Sequence, residues 1–306
     1  MVETLEYGEI SGHAIGIIMR EAVRRAMMVI HRNRFHFNVH LKQDHLGKMN
    51  DVYTDPDREA QTIYIKLLRE CFPKYGIAAE EDDLSIPCRH TLNIHFTVDP
   101  LDGTRAFIRR QSHGIGTMLS LICSGSVLAA YVGDVMSQEI YGFRPGSKSV
   151  WRFDESERHV KPEKLTVETS KPYSERYILL TDSAYKHSLF TQWLIGPQER
   201  GGLFKGYNVM NGSIGTNMAQ LWKSEVAAMV LQPHVETPWD FCPTYGISKQ
   251  LGLLFCKIDT TARNLVPYIP TVMPIKRFRP YEVLIVHENY FEKIEYAVKT
   301  YQRSNA

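Results

Sequence analysis

Apolar side chains recur at helical spacing through residues 10–32, ISGHAIGIIMREAVRRAMMVIHR, with Ser11 placed to cap the first turn. Residues 57–72, DREAQTIYIKLLRECF, repeat that amphipathic period and stop at Pro73. Between them NRFHFNVHLKQDHLGKMND is polar, histidine-rich and non-periodic, which predicts an irregular or hairpin segment. The pattern then changes. NIHFTVD alternates before turning apolar, a strand running into Pro100. GTMLSLICSG, SVLAAYVGDV and EIYGFRPG follow as strand-like runs, separated at Gly125-Ser126 and Ser137-Gln138, which predicts an antiparallel meander. Residues 145–175 are rich in Pro, Ser and Lys and form the expected connection between two lobes, 1–150 and 151–306. The second half alternates: strand RYILLT, helices SAYKHSLFTQWLI and GTNMAQLWK, strand VAAMVLQ, helix WDFCPTYGISKQLG, strand EVLIVHE and helix YFEKIEYAVKTYQR. That alternation is an α/β pattern.

The 306 residues suffice for a sizeable core in two lobes, and 43% hydrophobic against 23% charged residues is ordinary for a globular chain. A formal charge of +2 asks for neither nucleic acid nor an acidic membrane as partner. Five cysteines without CxxC spacing argue against disulfide or zinc frameworks and fit a reducing cytoplasm. The first residues lack a basic segment and a spanning apolar run, so neither a signal peptide nor a transmembrane helix is expected.

The densest chemistry lies in TVDPLDGTRAF. Pro100 fixes its own φ and biases Asp99 toward extended backbone, so Asp99 can end the strand while Asp102 sits on the turn beyond it. Gly103 permits close backbone approach, and Thr104 can cap the next helix with its amides toward an anion. Two carboxylates this close repel unless a cation or a proton lies between them, and oxygen ligands suit a hard divalent cation, most simply Mg²⁺. Asp-Pro and Asp-Gly steps are also common turn punctuation. Further acids bear on the choice: Glu80 and Glu81 after a short apolar run, Asp240 after Trp239 at a helix start, and Asp51, Thr54 and Asp57 before a helix. Each has a plain alternative, a solvated acidic loop for Glu80 to Asp83 or a helix N-terminal acid for Asp57 and Asp240.

In order and spacing the four segments resemble the inositol monophosphatase family of metal-dependent phosphatases, with its D-x-V-T-x-x-D, E-E, D-P-I/L-D-G-T and W-D elements. Here they stand as Asp51-Val-Tyr-Thr-Asp-Pro-Asp57, Glu80-Glu81, Asp99 to Thr104 and Trp239-Asp240, and GSIGTNMAQLWKSEVAAMVL resembles the family's helix and strand before W-D. The resemblance implies a layered αβαβα sandwich with the site between the lobes. The first lobe would carry most metal ligands and the second would bring the W-D aspartate. It implies two or three Mg²⁺ ions held by Glu80, Asp99, the Leu101 carbonyl and Asp102, with Asp240 closing a second site. Thr104, with Asp57 and Glu80, would orient the attacking water, and the Gly103 and Thr104 amides would cradle phosphate. It also implies a homodimer.

The chain departs from the family in Phe241-Cys242-Pro243, where small residues are usual, in Pro56 and in Ala79. The acid that some members set against a sugar hydroxyl has no clear counterpart; Glu236 is a candidate at another spacing, and Arg105 is a further candidate for substrate binding. The reading favours phosphatase chemistry over inositol specificity. An inositol monophosphate is the leading substrate; histidinol phosphate, fructose 1,6-bisphosphate and a 3′-phosphonucleotide are alternatives, as is a non-catalytic member binding a phosphorylated ligand or a protein. His31, His36, His40 and His45 fit no metal spacing and are expected as surface histidines, and carboxylates nearby are expected to keep Cys242 protonated.

Overall fold

A computed structural model describes residues 10–43, 48–157, 160–260 and 264–304. Seven helices are used below: α1 Gly12–Arg32, α2 Asp55–Cys71, α3 Thr104–Ile108, α4 Leu189–Leu194, α5 Ile214–Trp222, α6 Pro238–Gln250 and α7 Glu288–Ser304. Ser11 caps α1 as expected, its hydroxyl accepting from the Ala14 amide. The histidine-rich stretch contributes a hairpin strand, Val39–Lys42, paired antiparallel with Asp51–Thr54.

The strand period decides the layering. Along Gly116–Cys123, Leu119 and Leu121 join a core with α1 and α2, while Met118 and Ile122 join the core containing α5 and α6. Along Val283–His287, Val283 and Ile285 point to that same central core, and Leu284 and Val286 to a third core with α4 and α7. The result is five layers: α1/α2, an eight-stranded sheet, α5/α6, a six-stranded sheet, and α4/α7. The expected αβαβα sandwich is the fold observed. Gly116–Cys123, Ser126–Asp134 and Glu139–Phe143 form the antiparallel meander. The first sheet runs on past residue 150 through Trp151–Asp154 and Glu163–Lys164. Gly76–Ala79 pairs parallel with Ile94–Asp102 and delivers Glu80 beside it.

One expected element differs. Residues 183–195 form a short 3₁₀ turn, Ala184–Lys186, and then α4 instead of one helix. His187 and Ser188 leave helical geometry because the His187 ring and the Ser188 amide both donate to Glu282. Strands Gly206–Val209, Leu253–Asp259 and Asn264–Tyr268 complete the second sheet without a strong local signal.

Candidate active site

In a regular strand, side chains three apart lie on opposite faces. Asp99 and Asp102 escape this because the ladder is bulged: Asp99 lies opposite Met118 but Asp102 opposite Gly116, three steps against two. The extra residue falls at Pro100-Leu101, where proline has no N–H for the ladder to lose. Both carboxylates therefore reach one point, and oxygens of Asp99, Asp102 and Asp240 lie within 4.8 Å of one another. Asp240 arrives from the first turn of α6, which starts at Pro238 after the Thr237 cap.

Gly103 follows at φ +91, and a Cβ there would sit 2.3 Å from the Gly114 carbonyl. Gly114 and Gly212 are also left-handed and pressed against the same crossing. That crossing lets the start of α5 dock on Asp102, which accepts from the Ile214 amide (3.1 Å), the Gly215 amide (2.8 Å) and the Ser213 hydroxyl. Ser213 also caps α5 through the Thr216 amide.

Beside the aspartates, the Thr104 hydroxyl lies 3.1 Å from both Asp57 Oδ1 and the Leu101 carbonyl. Asp57 is buried and accepts from the Thr54 amide (2.8 Å) and hydroxyl. Glu80 is half-buried, and Lys42 bridges it and the buried Glu81 at 2.9 and 2.7 Å. Gln61 of α2 clamps the Glu81 backbone from both sides, donating to its carbonyl and accepting from its amide.

The electrostatics are those of negative charge without enough cation. Burial, then repulsion from Glu80, Asp240 and Asp102, holds Asp99 well above the usual carboxylate range. Burial and Asp240 raise Asp102 to about 7 despite its three donors, and burial with Glu80 raises Asp240 to about 6. Burial pushes Asp57 up to about 6, and burial with Glu80 pushes Glu81 up to about 8 against the pull of Lys42.

Glu80, Glu81 and Asp240 line a cleft of about 850 Å³ whose walls also include Asp51, Lys42, Arg105, Trp239 and Lys276. Arg105 borders it with its guanidinium on the Asn50 carbonyl (3.1 Å). Glu236 shares a neighbouring cavity wall with Asp240, with one oxygen on Arg277 and the other on Arg279, each at 2.7 Å. Pro56 sits in the first turn of α2, where no amide partner is needed, and Ala79 is fully buried. Cys242 is sealed, and burial first, then the Glu236 carboxylate, pushes its thiol up to about 12, so it stays protonated as expected, with burial as the larger cause. His40 pairs with Asp55 (2.7 Å) and stacks on Tyr53, so it belongs to the hairpin; His45 lies outside the described residues. Among the described residues the histidines join no metal-ligating cluster.

The spacing of motifs brought together Asp57, Glu80, Asp99, Leu101, Asp102, Thr104 and Asp240. It missed Lys42, which lies in a segment without period, and Gln61, one polar position on an amphipathic helix. It missed the dock of Ser213 to Gly215 on Asp102, for which Ser213 as a helix cap with Gly212 before it was the available signal.

The family model described as the inositol monophosphatase family matches residues 14–287. The chain belongs to that family. Among curated proteins, it is 29% identical over 92 residues to the Nus factor SuhB of Salmonella typhimurium, covering 30% of this chain and 33% of that protein. It is 28% identical over 96 residues to the inositol-1-monophosphatase of Bacillus subtilis, covering 30% and 34%. The chain thus matches about a third of the length of these curated relatives. Solved structures share the fold over nearly the whole chain. A dual-specific IMPase/NADP phosphatase bound with D-inositol-1-phosphate superposes at TM-score 0.70 and 16% identity, covering 94% of this chain and 96% of that one. The SuhB protein of Bartonella henselae superposes at 0.67 and 18%, covering 94% and 98%. An IMPase/NADP phosphatase complexed with Mg²⁺ and phosphate gives 0.67 and 17%, covering 94% and 95%.

The residues of this family member fit a hard cation. Asp99 Oδ1 is buried without a hydrogen-bond partner, the carboxylates of Asp102 and Asp240 converge on Asp99, and their repulsion and raised pKa values are what a divalent ion would relieve.

Proposed function

We propose that this protein is a Mg²⁺-dependent phosphatase that hydrolyses a small phosphate monoester. The observation that carries the reading is the convergence of Asp99, Asp102 and Asp240 within 4.8 Å, beside a hydroxyl–carboxylate pair, Thr104 and Asp57. A pure binding surface has no use for that pair. Glu80, Asp99, the Leu101 carbonyl, Asp102 and Asp240 would hold the metal. Bound Mg²⁺ supplies Lewis-acid polarisation of the phosphate and a lowered pKa for water.

The chain's own residues do the rest. Asp57, ionised above about pH 6, accepts the Thr104 proton in a hydrogen bond and turns the Thr104 oxygen toward water as an acceptor. Water adds to phosphorus, the ester P–O bond breaks, and the alcohol leaves carrying a proton, with inorganic phosphate as co-product. The Gly103 and Thr104 amides, at a helix start, present N–H groups to the phosphate oxygens. Lys42 holds Glu80 and Glu81 in place, and Arg105 borders the cleft where an anionic substrate enters. An inositol monophosphate as substrate and a homodimer as working form are expectations carried from the family resemblance, not from this site's geometry.

Phosphate release from inositol 1-phosphate, histidinol phosphate, fructose 1,6-bisphosphate and a 3′-phosphonucleotide, with Mg²⁺ and with chelator, tests the reading. Release that requires Mg²⁺ is expected. A folded protein that binds Mg²⁺ and releases phosphate from no ester would sink it and leave the binding-only alternative.

A further inference from the structure

Past Asp240 and Thr237 the acidic cleft adjoins a second cavity of about 300 Å³. The Ile214 amide, bound to Asp102, marks its near end. Its apolar lining is Met210, Ile214, Leu231, Val235 and Phe241, all half-buried. Phe241 is held flat by stacking on Tyr245 (centroids 5.3 Å apart, planes at 13°) and by the edge of Phe255.

Most polar side chains around this cavity, which Thr181, His234 and Asp240 also line, already hold protein partners. Both oxygens of Glu236 are taken by Arg277 and Arg279, and Arg279 also donates to the Gln232 and Tyr281 carbonyls. Thr237 donates to Asp240 (2.7 Å), and Thr244 to the Asp240 carbonyl (2.7 Å). The Gln232 amide group donates to the Lys186 carbonyl (2.9 Å). A ring hydroxyl entering here gives up water and meets mostly groups already paired, whereas a hydrocarbon ring exchanges water for the faces of Phe241 and Leu231.

We propose that this cavity receives the alcohol half of the ester and selects an apolar ring or alkyl chain over a polyol; the proposal rests on the phosphatase reading above. Phe241, fixed by Tyr245 and Phe255, is its specificity-determining wall, and Glu236 is a structural acid braced by two arginines.

Cyclohexyl phosphate and inositol 1-phosphate carry the same six-membered ring and differ in its hydroxyls, so they form the test pair. With Mg²⁺, kcat/KM is expected to favour cyclohexyl phosphate by at least about tenfold. Phe241→Ala and, separately, Leu231→Asn are expected to shrink that ratio severalfold, each in protein with wild-type circular dichroism. Equal or greater kcat/KM for inositol 1-phosphate overturns the proposal. Calorimetric binding of both esters separates the two readings. Tighter binding of cyclohexyl phosphate without hydrolysis of either overturns the phosphatase reading and supports the cavity assignment. No hydrolysis and no difference in binding overturns both.

Discussion

Asp99 and Glu282 are both carboxylates shut away from water, at 2% and 6% exposure, and they sit in opposite electrostatic states. Burial alone would raise Glu282, but the His187 ring (2.8 Å), the Ser188 amide (3.0 Å) and hydroxyl and the Thr191 hydroxyl (2.6 Å) outweigh it and hold the acid at about 2. Asp99 has the same burial, an orphaned oxygen and three acidic neighbours, so its proton is held tightly. Burial therefore does not mark a site. What marks it is buried charge whose compensation the protein leaves incomplete.

The largest effect that could break this contrast is on turnover. Asp99→Asn is expected to lower kcat by at least about a thousandfold, the scale of losing a principal electrostatic contact with the reacting group. The metal-free variant should be at least as stable as the parent because an amide is buried beside three acids without having to take up a proton; paired kinetics and thermal melts decide it. A variant retaining more than a tenth of the activity would refute the assignment of roles. Thr104→Ala should cost about a hundredfold in kcat with little change in KM, because it removes only the group that orients water. A change confined to KM would reassign Thr104 to substrate binding.

Glu282→Ala should do the reverse. It strands His187, Ser188 and Thr191 and should cost about 3 kcal/mol of stability, at the scale of breaking a buried charged pair, while kcat of the folded fraction is unchanged. Denaturant titration alongside kinetics checks this.

The smallest effect is on pH dependence, and the two regions should slope in opposite directions. Asp57 and Asp240, near 6, and Asp102, near 7, lie above the value of about 4 in an unfolded chain, so the folded protein holds protons that the unfolded chain has released. Their contribution to metal-free stability is complete below about pH 4 and is lost as pH rises through about 7. Glu282, lowered to about 2, contributes above its unfolded value and loses that contribution as pH falls toward 2. Melts of metal-free protein from pH 4 to 8 should show a falling midpoint, and added Mg²⁺ should flatten it. A rising midpoint without metal would show that the aspartates are compensated after all.

Much of the fold and most of the candidate site could be read along the chain because the information is local. A 3.6-residue period marks α1 and α2 whatever they pack against, and Pro100 and Gly103 constrain the backbone between Asp99 and Thr104 within a few residues. The side chains of the carboxylate motifs were likewise named in order. The remainder depends on contacts across long stretches of chain. Ser213 meets Asp102 across 111 positions, and Glu236 meets Arg279 across 43. Ser188 meets Glu282 across 94, which is enough to break a helix that the local period favoured. No spacing rule encodes such pairs, since they form only when two sheets and the α5/α6 layer are stacked. The same holds for the bulge at Pro100-Leu101: sequence placed two aspartates three apart, and only the register against Met118 and Gly116 turned them to one side. Local sterics and periodicity thus supplied the elements and the chemical groups. Packing decided which of those groups are neutralised, and so which remain available to a cation and a substrate.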